Sequence, residues 1–75
     1  MTPRSKAHAR LGAAVKALRE EKGLSQIEAA KKMKKPASFL SDIERGIRNP
    51  SWTTLLDISK ALGVKPSEIA ARAER

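Results

Sequence analysis

Apolar residues along this chain recur at helical rather than strand spacing. Leu11, Ala14, Val15 and Leu18 stand at i, i+3, i+4 and i+7, one stripe of a helix running from about Lys6 to Lys22. Ser5, or Thr2 followed by Pro3, supplies its start, and Gly23 its end. A second segment runs from Ser25 to Met33, with Ser25 and Glu28 spaced as a capping box and Ala29, Ala30 and Met33 turned inward. Lys34-Lys35-Pro36 interrupts it, because proline disfavours helical geometry in the residue before it. The third segment is Ala37 to Arg45, with Leu40 and Ile43 inward, Phe39 beside them and Gly46 closing it. After the irregular stretch Ile47-Arg48-Asn49-Pro50, Ser51 caps a fourth segment. Its stripe is Trp52, Leu55, Ile58 and Leu62, and Gly63 ends it. A short fifth opens at Pro66 and turns Ile69 and Ala70 inward. The pattern predicts an all-α, compact, five-helix domain over residues 6–75, preceded by a flexible basic arm at residues 1–5.

Segments two and three are two short helices joined by a tight turn, which is the geometry of a helix-turn-helix at residues 25–45. Small residues at Ala29 and Ala30 let the pair approach closely. The first turn of the third segment is then presented outward on a rigid platform. The major groove of B-DNA, about 12 Å wide, admits one such helix.

Charge sharpens this picture. The 75 residues carry 16 Lys and Arg against 8 Asp and Glu, net +8. Residues 1–48 hold 12 basic and 5 acidic side chains, net +7, and residues 49–75 hold 4 and 3, net +1. The excess therefore belongs to the half that contains the helix-turn-helix, as a polyanionic partner requires. The absence of Cys removes disulfide frameworks and thiolate metal sites, and a lone His8 removes a catalytic triad or a multi-histidine metal site. A chain this short hides only about 60% of its unfolded surface and has little core to spare for an enclosed active site. No catalytic residue, metal or cofactor is expected, and the chain is not expected to be an enzyme. The apolar run Leu11 to Val15, broken by Gly12, is too short to span a bilayer, and no apolar core follows the basic N-terminus as in a secretory signal. A cytoplasmic, nucleoid-associated protein is expected.

The stretch SQIEAAKKMKKPASFLSDIERGIRNPSWTTLLDISKALGV resembles the Cro and phage-repressor type of helix-turn-helix domain, the XRE family. The resemblance rests on Ser25-Gln26, Ala30, Met33, Leu40-Ser41, Ile43-Glu44-Arg45-Gly46, Asn49-Pro50, Leu55 and Ala61-Leu62-Gly63, and covers about residues 10–70. It implies a lambda-repressor-like fold in which helices 2 and 3 form the helix-turn-helix. It also implies roles. Ser25 and Gln26 open the second helix against a DNA phosphate, and Gln26 braces the third. Ala37, Ser38, Ser41 and Asp42 face base edges. Arg48 and Asn49 touch the backbone from the following loop, and Arg19 and Glu44 form a structural ion pair. The chain departs from the family's usual residues at Lys34, where glycine is common, at Lys35, where a small aliphatic is common, and at Ala29, where leucine is common. A lysine in a left-handed turn is strained relative to glycine.

Several of these residues carry a second, plainer reading. Lys34 and Lys35 either meet phosphates or belong to a solvated basic face. Asp42 either accepts from a cytosine amino group or pairs with Arg45 three residues on. Arg45 either reaches a phosphate or complements the end of its own helix. Phe39 and Trp52 are read as core or core-edge residues, while Ile27 falls where exposure is expected. The expected function is a sequence-specific, double-stranded-DNA-binding transcriptional regulator, a repressor above all, acting as a homodimer on a palindromic operator. The C-terminal residues Val64, Ile69 and Ala70 are the expected dimer surface. The alternatives are a basic protein-interaction module such as an antitoxin, and a non-specific DNA-binding protein. RNA binding fits less well, because stacking aromatics are nearly absent.

Overall fold

The computed structural model describes residues 5–74. Among them are five helices and no strand: α1 (Lys6–Glu21), α2 (Gln26–Lys32), α3 (Ala37–Glu44), α4 (Trp52–Leu62) and α5 (Pro66–Ala73). The expected elements are all present, and each of the first three ends one residue sooner than the periodicity implies, with Lys22, Met33 and Arg45 as C-caps. The basic arm falls on residues 1–4, outside the described residues, except for Ser5, which caps α1 by accepting the His8 N–H at 3.1 Å.

Local chemistry sets the other boundaries. In α2, Ser25 Oγ accepts the Glu28 N–H at 3.0 Å and Glu28 Oε1 accepts the Ser25 N–H at 3.0 Å, a complete capping box. These bonds from Ser25, its backbone N–H foremost, hold the Glu28 carboxyl below its ordinary range. Pro36, with φ −69°, fits the position before α3 and prevents α2 from running on. Ser51 Oγ accepts the Thr54 N–H at 3.2 Å to start α4, and Gly63 ends it at φ 69°.

The core is formed by Val15, Leu18, Ala29, Ala30, Leu40, Ile43, Ile58, Leu62 and Ile69. Helix α1 packs against α3 and α5, and α2 packs against α3 and α4. Ala29 and Ala30, each 1% exposed, set the close approach of α2. Gly12 does the same for α1. A Cβ there would fall 2.4 Å from the Ile43 carbonyl oxygen and 2.5 Å from that of Glu44, so the α1 backbone lies directly on the C-terminal end of α3.

Two expectations are corrected. Trp52 is 63% exposed rather than part of the inward stripe. The buried side of α4 is Ile58, Ser59, Ala61 and Leu62, with Leu55 partly buried against the core. Ser59 is tolerated inside because its hydroxyl donates to the Leu56 carbonyl at 2.7 Å. On α5, Ile69 is buried with Arg72 and Ala73 partly covered beside it, at i, i+3 and i+4, and Ala70 falls on the exposed side. With Ile69 in the core at 2% exposure, Val64, Ile69 and Ala70 do not make one surface patch.

Candidate nucleic-acid interface

A buried polar cluster fixes the orientation of α3. Arg19 Nε donates to Glu44 Oε2 at 2.6 Å and Nη2 donates to Oε1 at 3.0 Å, while Nη1 donates to the Leu24 carbonyl at 2.8 Å. Both side chains are more than nine-tenths buried. The hydrogen bond to Glu44 raises the Arg19 pKa, and burial opposes it without prevailing. Gln26 Nε2 also donates to Glu44 Oε1, at 3.0 Å. A carboxylate only accepts, so the amide nitrogen faces it, and that nitrogen keeps a second N–H. The Glu44 carboxylate at the end of α3 thus ties α1 to the start of α2, and Arg19 also holds the connection between them.

The turn between α2 and α3 keeps a left-handed residue although glycine is absent: Lys34 has φ 59°, the one positive-φ residue other than glycine among those described. The turn closes through the Lys34 N–H to the Lys31 carbonyl and the Lys35 N–H to the Ala30 carbonyl, both at 3.0 Å. The two side chains are exposed and diverge in their surroundings. Lys34 lines an open cavity of about 300 Å³ with Lys32, Met33, Asp57 and Lys60. Lys35 instead turns to α3.

Leu40, Ile43 and Glu44 anchor α3 inward. Its opposite side carries Ser38 and Arg45, exposed, and Ser41 and Asp42, half-buried, with Ala37 half-buried at one edge. Arg48 and Asn49 are exposed in the loop that follows. Asp42 engages two arginines: Arg45 Nη2 lies 2.6 Å from Oδ1, and Arg48 Nη2 lies 3.9 Å from Oδ2. Phe39 is half-buried and packs against the core. Its ring also lies under two cations, with the Arg48 guanidinium 4.8 Å and the Lys35 ammonium 5.3 Å from the ring centre. The structure therefore gathers Lys35, Arg45 and Arg48 along one edge of α3. Phe39 reads from sequence only as a core or core-edge residue, and Lys60 is not singled out. No local spacing marks either residue for these contacts.

Among the described residues no group of His, Cys, Asp and Glu is arranged to hold a metal ion, and no helix is long and apolar enough to cross a membrane. What the surface offers is an outward helix with small polar groups, rimmed by cations. Such a surface fits a groove lined with hydrogen-bonding edges and flanked by phosphates.

Comparison with known proteins agrees with this geometry. A family model described as Helix-turn-helix matches residues 15–69. The immunity repressor protein of Bacillus phage phi105 is 42% identical over 59 residues, which are 79% of this chain and 41% of that protein. The uncharacterized HTH-type transcriptional regulator y4dJ of Sinorhizobium fredii is 44% identical over 52 residues, 69% of this chain and 68% of that one. Among solved structures, the restriction-modification controller protein C.AhdI from Aeromonas hydrophila superposes with a TM-score of 0.79 at 34% identity, covering 81% of this chain and 92% of that one. The chain thus spans under half the length of the phage repressor and nearly all of the controller.

Proposed function

This chain belongs to the helix-turn-helix family, and we propose that it is a sequence-specific, double-stranded-DNA-binding regulator of transcription, acting as a repressor. The observation that carries the proposal is the outward face of α3, held in place by the Arg19–Glu44–Gln26 cluster and rimmed by Lys35, Arg45 and Arg48. In this reading α3 enters the major groove, and Ala37, Ser38 and Ser41 meet base edges. The hydroxyls bond either class of base, and the Ala37 methyl touches thymine. The second N–H of Gln26, with the N-terminal end of α2 at Ser25, takes a phosphate on one side of the groove. Lys34, Lys35, Arg45, Arg48 and Asn49 take phosphates on the other. Binding alone does the work, and no catalytic step is assigned.

One short helix covers little DNA, so two copies act together on a palindromic operator with half-sites about one helical turn apart. We place the contact between copies on the C-terminal helices, with exposed Trp52 at the start of α4 as its apolar anchor. Such a protein works in the cytoplasm, at the nucleoid. The test is selection from a random duplex library at two salt concentrations. The proposal expects one palindromic consensus and a steep salt dependence, and equal retention of all sequences would overturn it.

A further inference from the structure

The edge of α3 combines features that do not belong together in a simple phosphate-binding rim. A carboxylate, Asp42, stands between two arginines, Arg45 and Arg48, in the part of the chain that otherwise concentrates positive charge. An aromatic ring that could have been buried whole instead lies under Arg48 and Lys35. Building on the DNA-binding reading above, we propose that Asp42 and Phe39 are positioning residues: they hold Arg48, and with it Arg45 and Lys35, in one pose, so that the rim engages phosphates of a well-seated duplex and binds unrelated duplex weakly.

The physical case has two parts. A guanidinium on a free stem loses much rotamer freedom when it docks, whereas one already stacked on a ring and facing a carboxylate has lost it beforehand. Phe39 is suited to this because its own ring is fixed by core packing, so it offers a stationary face to Arg48. The Asp42 carboxylate adds discrimination. It partly neutralises Arg45 and Arg48 and repels phosphates, so a duplex that does not place its backbone against the arginines meets repulsion without compensation. Asp42 is 27% exposed on its side chain, accessible enough for its charge to reach a docked duplex. Its charge is therefore assigned to the arginines rather than to a base edge.

The experiment compares wild type with Asp42→Asn, Phe39→Leu and Phe39→Trp on the selected duplex and on an unrelated duplex, across a salt series. Asp42→Asn is expected to raise affinity for unrelated duplex about two- to fivefold, the range of an exposed charge pair, and to steepen its salt slope by up to about 0.9. The ratio of selected to unrelated binding falls accordingly. Phe39→Leu is expected to weaken the selected duplex about two- to fivefold with unrelated duplex unchanged, and Phe39→Trp to restore it. In the free protein, the ring-current shift of the Arg48 side-chain protons disappears in Phe39→Leu and persists in Phe39→Trp. This readout stands even if one variant binds poorly because it is less stable. If Asp42→Asn instead loses preference at one base pair, with salt slope and unrelated binding unmoved, Asp42 contacts a base and the inference fails. Wild type binding DNA with all three variants indistinguishable from it overturns the inference alone. Wild type binding no duplex overturns the DNA-binding reading and this inference with it.

Discussion

Arg19 in α1 and Glu44 at the end of α3 are joined by two hydrogen bonds, of 2.6 and 3.0 Å, in a site where both are nearly sealed from solvent. Such a pair need not add net stability, but breaking it strands a buried charge. Arg19→Ala is expected to cost about 3–5 kcal/mol in denaturant unfolding, whereas replacing both residues by apolar ones of similar size is expected to cost much less. An Arg19→Ala variant with wild-type stability would mean that Glu44 finds another partner.

Gly12 sits where a methyl group would meet the Ile43 carbonyl oxygen at 2.4 Å. Alanine normally favours a helix interior over glycine, by about 1 kcal/mol. Here the obstruction is backbone and cannot swing aside, so Gly12→Ala is expected to destabilise by about 1–3 kcal/mol net. Chemical denaturation decides the sign.

Lys34 holds a left-handed conformation at φ 59° without the freedom of glycine. Lys34→Gly is expected to stabilise the fold by about 0.5–1 kcal/mol, because relief of strain exceeds the added entropy of the unfolded chain. Thermal melting measures this. In DNA binding the same substitution is expected to make the salt slope shallower by about 0.9, and an unchanged slope would remove Lys34 from the proposed phosphate contacts.

Gln26→Ala removes an amide that braces Glu44 and, in the proposed complex, meets a phosphate. Phosphates carry no sequence, so affinity is expected to fall about tenfold for selected and unrelated duplexes alike. A loss confined to the selected duplex would contradict this role.

The capping box of α2 makes part of the stability depend on pH. Bonds from Ser25 lower the Glu28 pKa in the folded state, so their contribution is fully present above the unfolded value and is lost as pH falls through the folded one. Between about pH 5 and pH 3, the melting temperature of wild type is expected to fall more steeply than that of Glu28→Gln, which keeps the box without the charge. Parallel curves would assign the acid sensitivity to other carboxylates.

Helix positions and the helix-turn-helix were legible because their signals are local. Ser25 with Glu28, Pro36, Gly23 and Gly63 each act within a turn or two of where they stand. The Arg19–Glu44 contact is not local. It came from the resemblance, since no periodicity links residues so distant. Trp52 and Ala70 were misplaced because a stripe in a short helix fixes which side is apolar but not where the neighbouring helix stops covering it. Gly12 could be read only as an interruption, because its role depends on the backbone of a helix that arrives later in the chain. Phe39 passed as a core residue because a half-buried ring that packs on the core and also lies near cations has the sequence signature of either.

The seating of α3 on bare main chain at Gly12 bears on how such a protein can change its target. At that crossing no side chain cushions the two rods, so little there can be enlarged, shrunk or reshaped to tilt one against the other. New binding preferences must come from exchanging the outward groups one at a time, on a mount that itself stays the same.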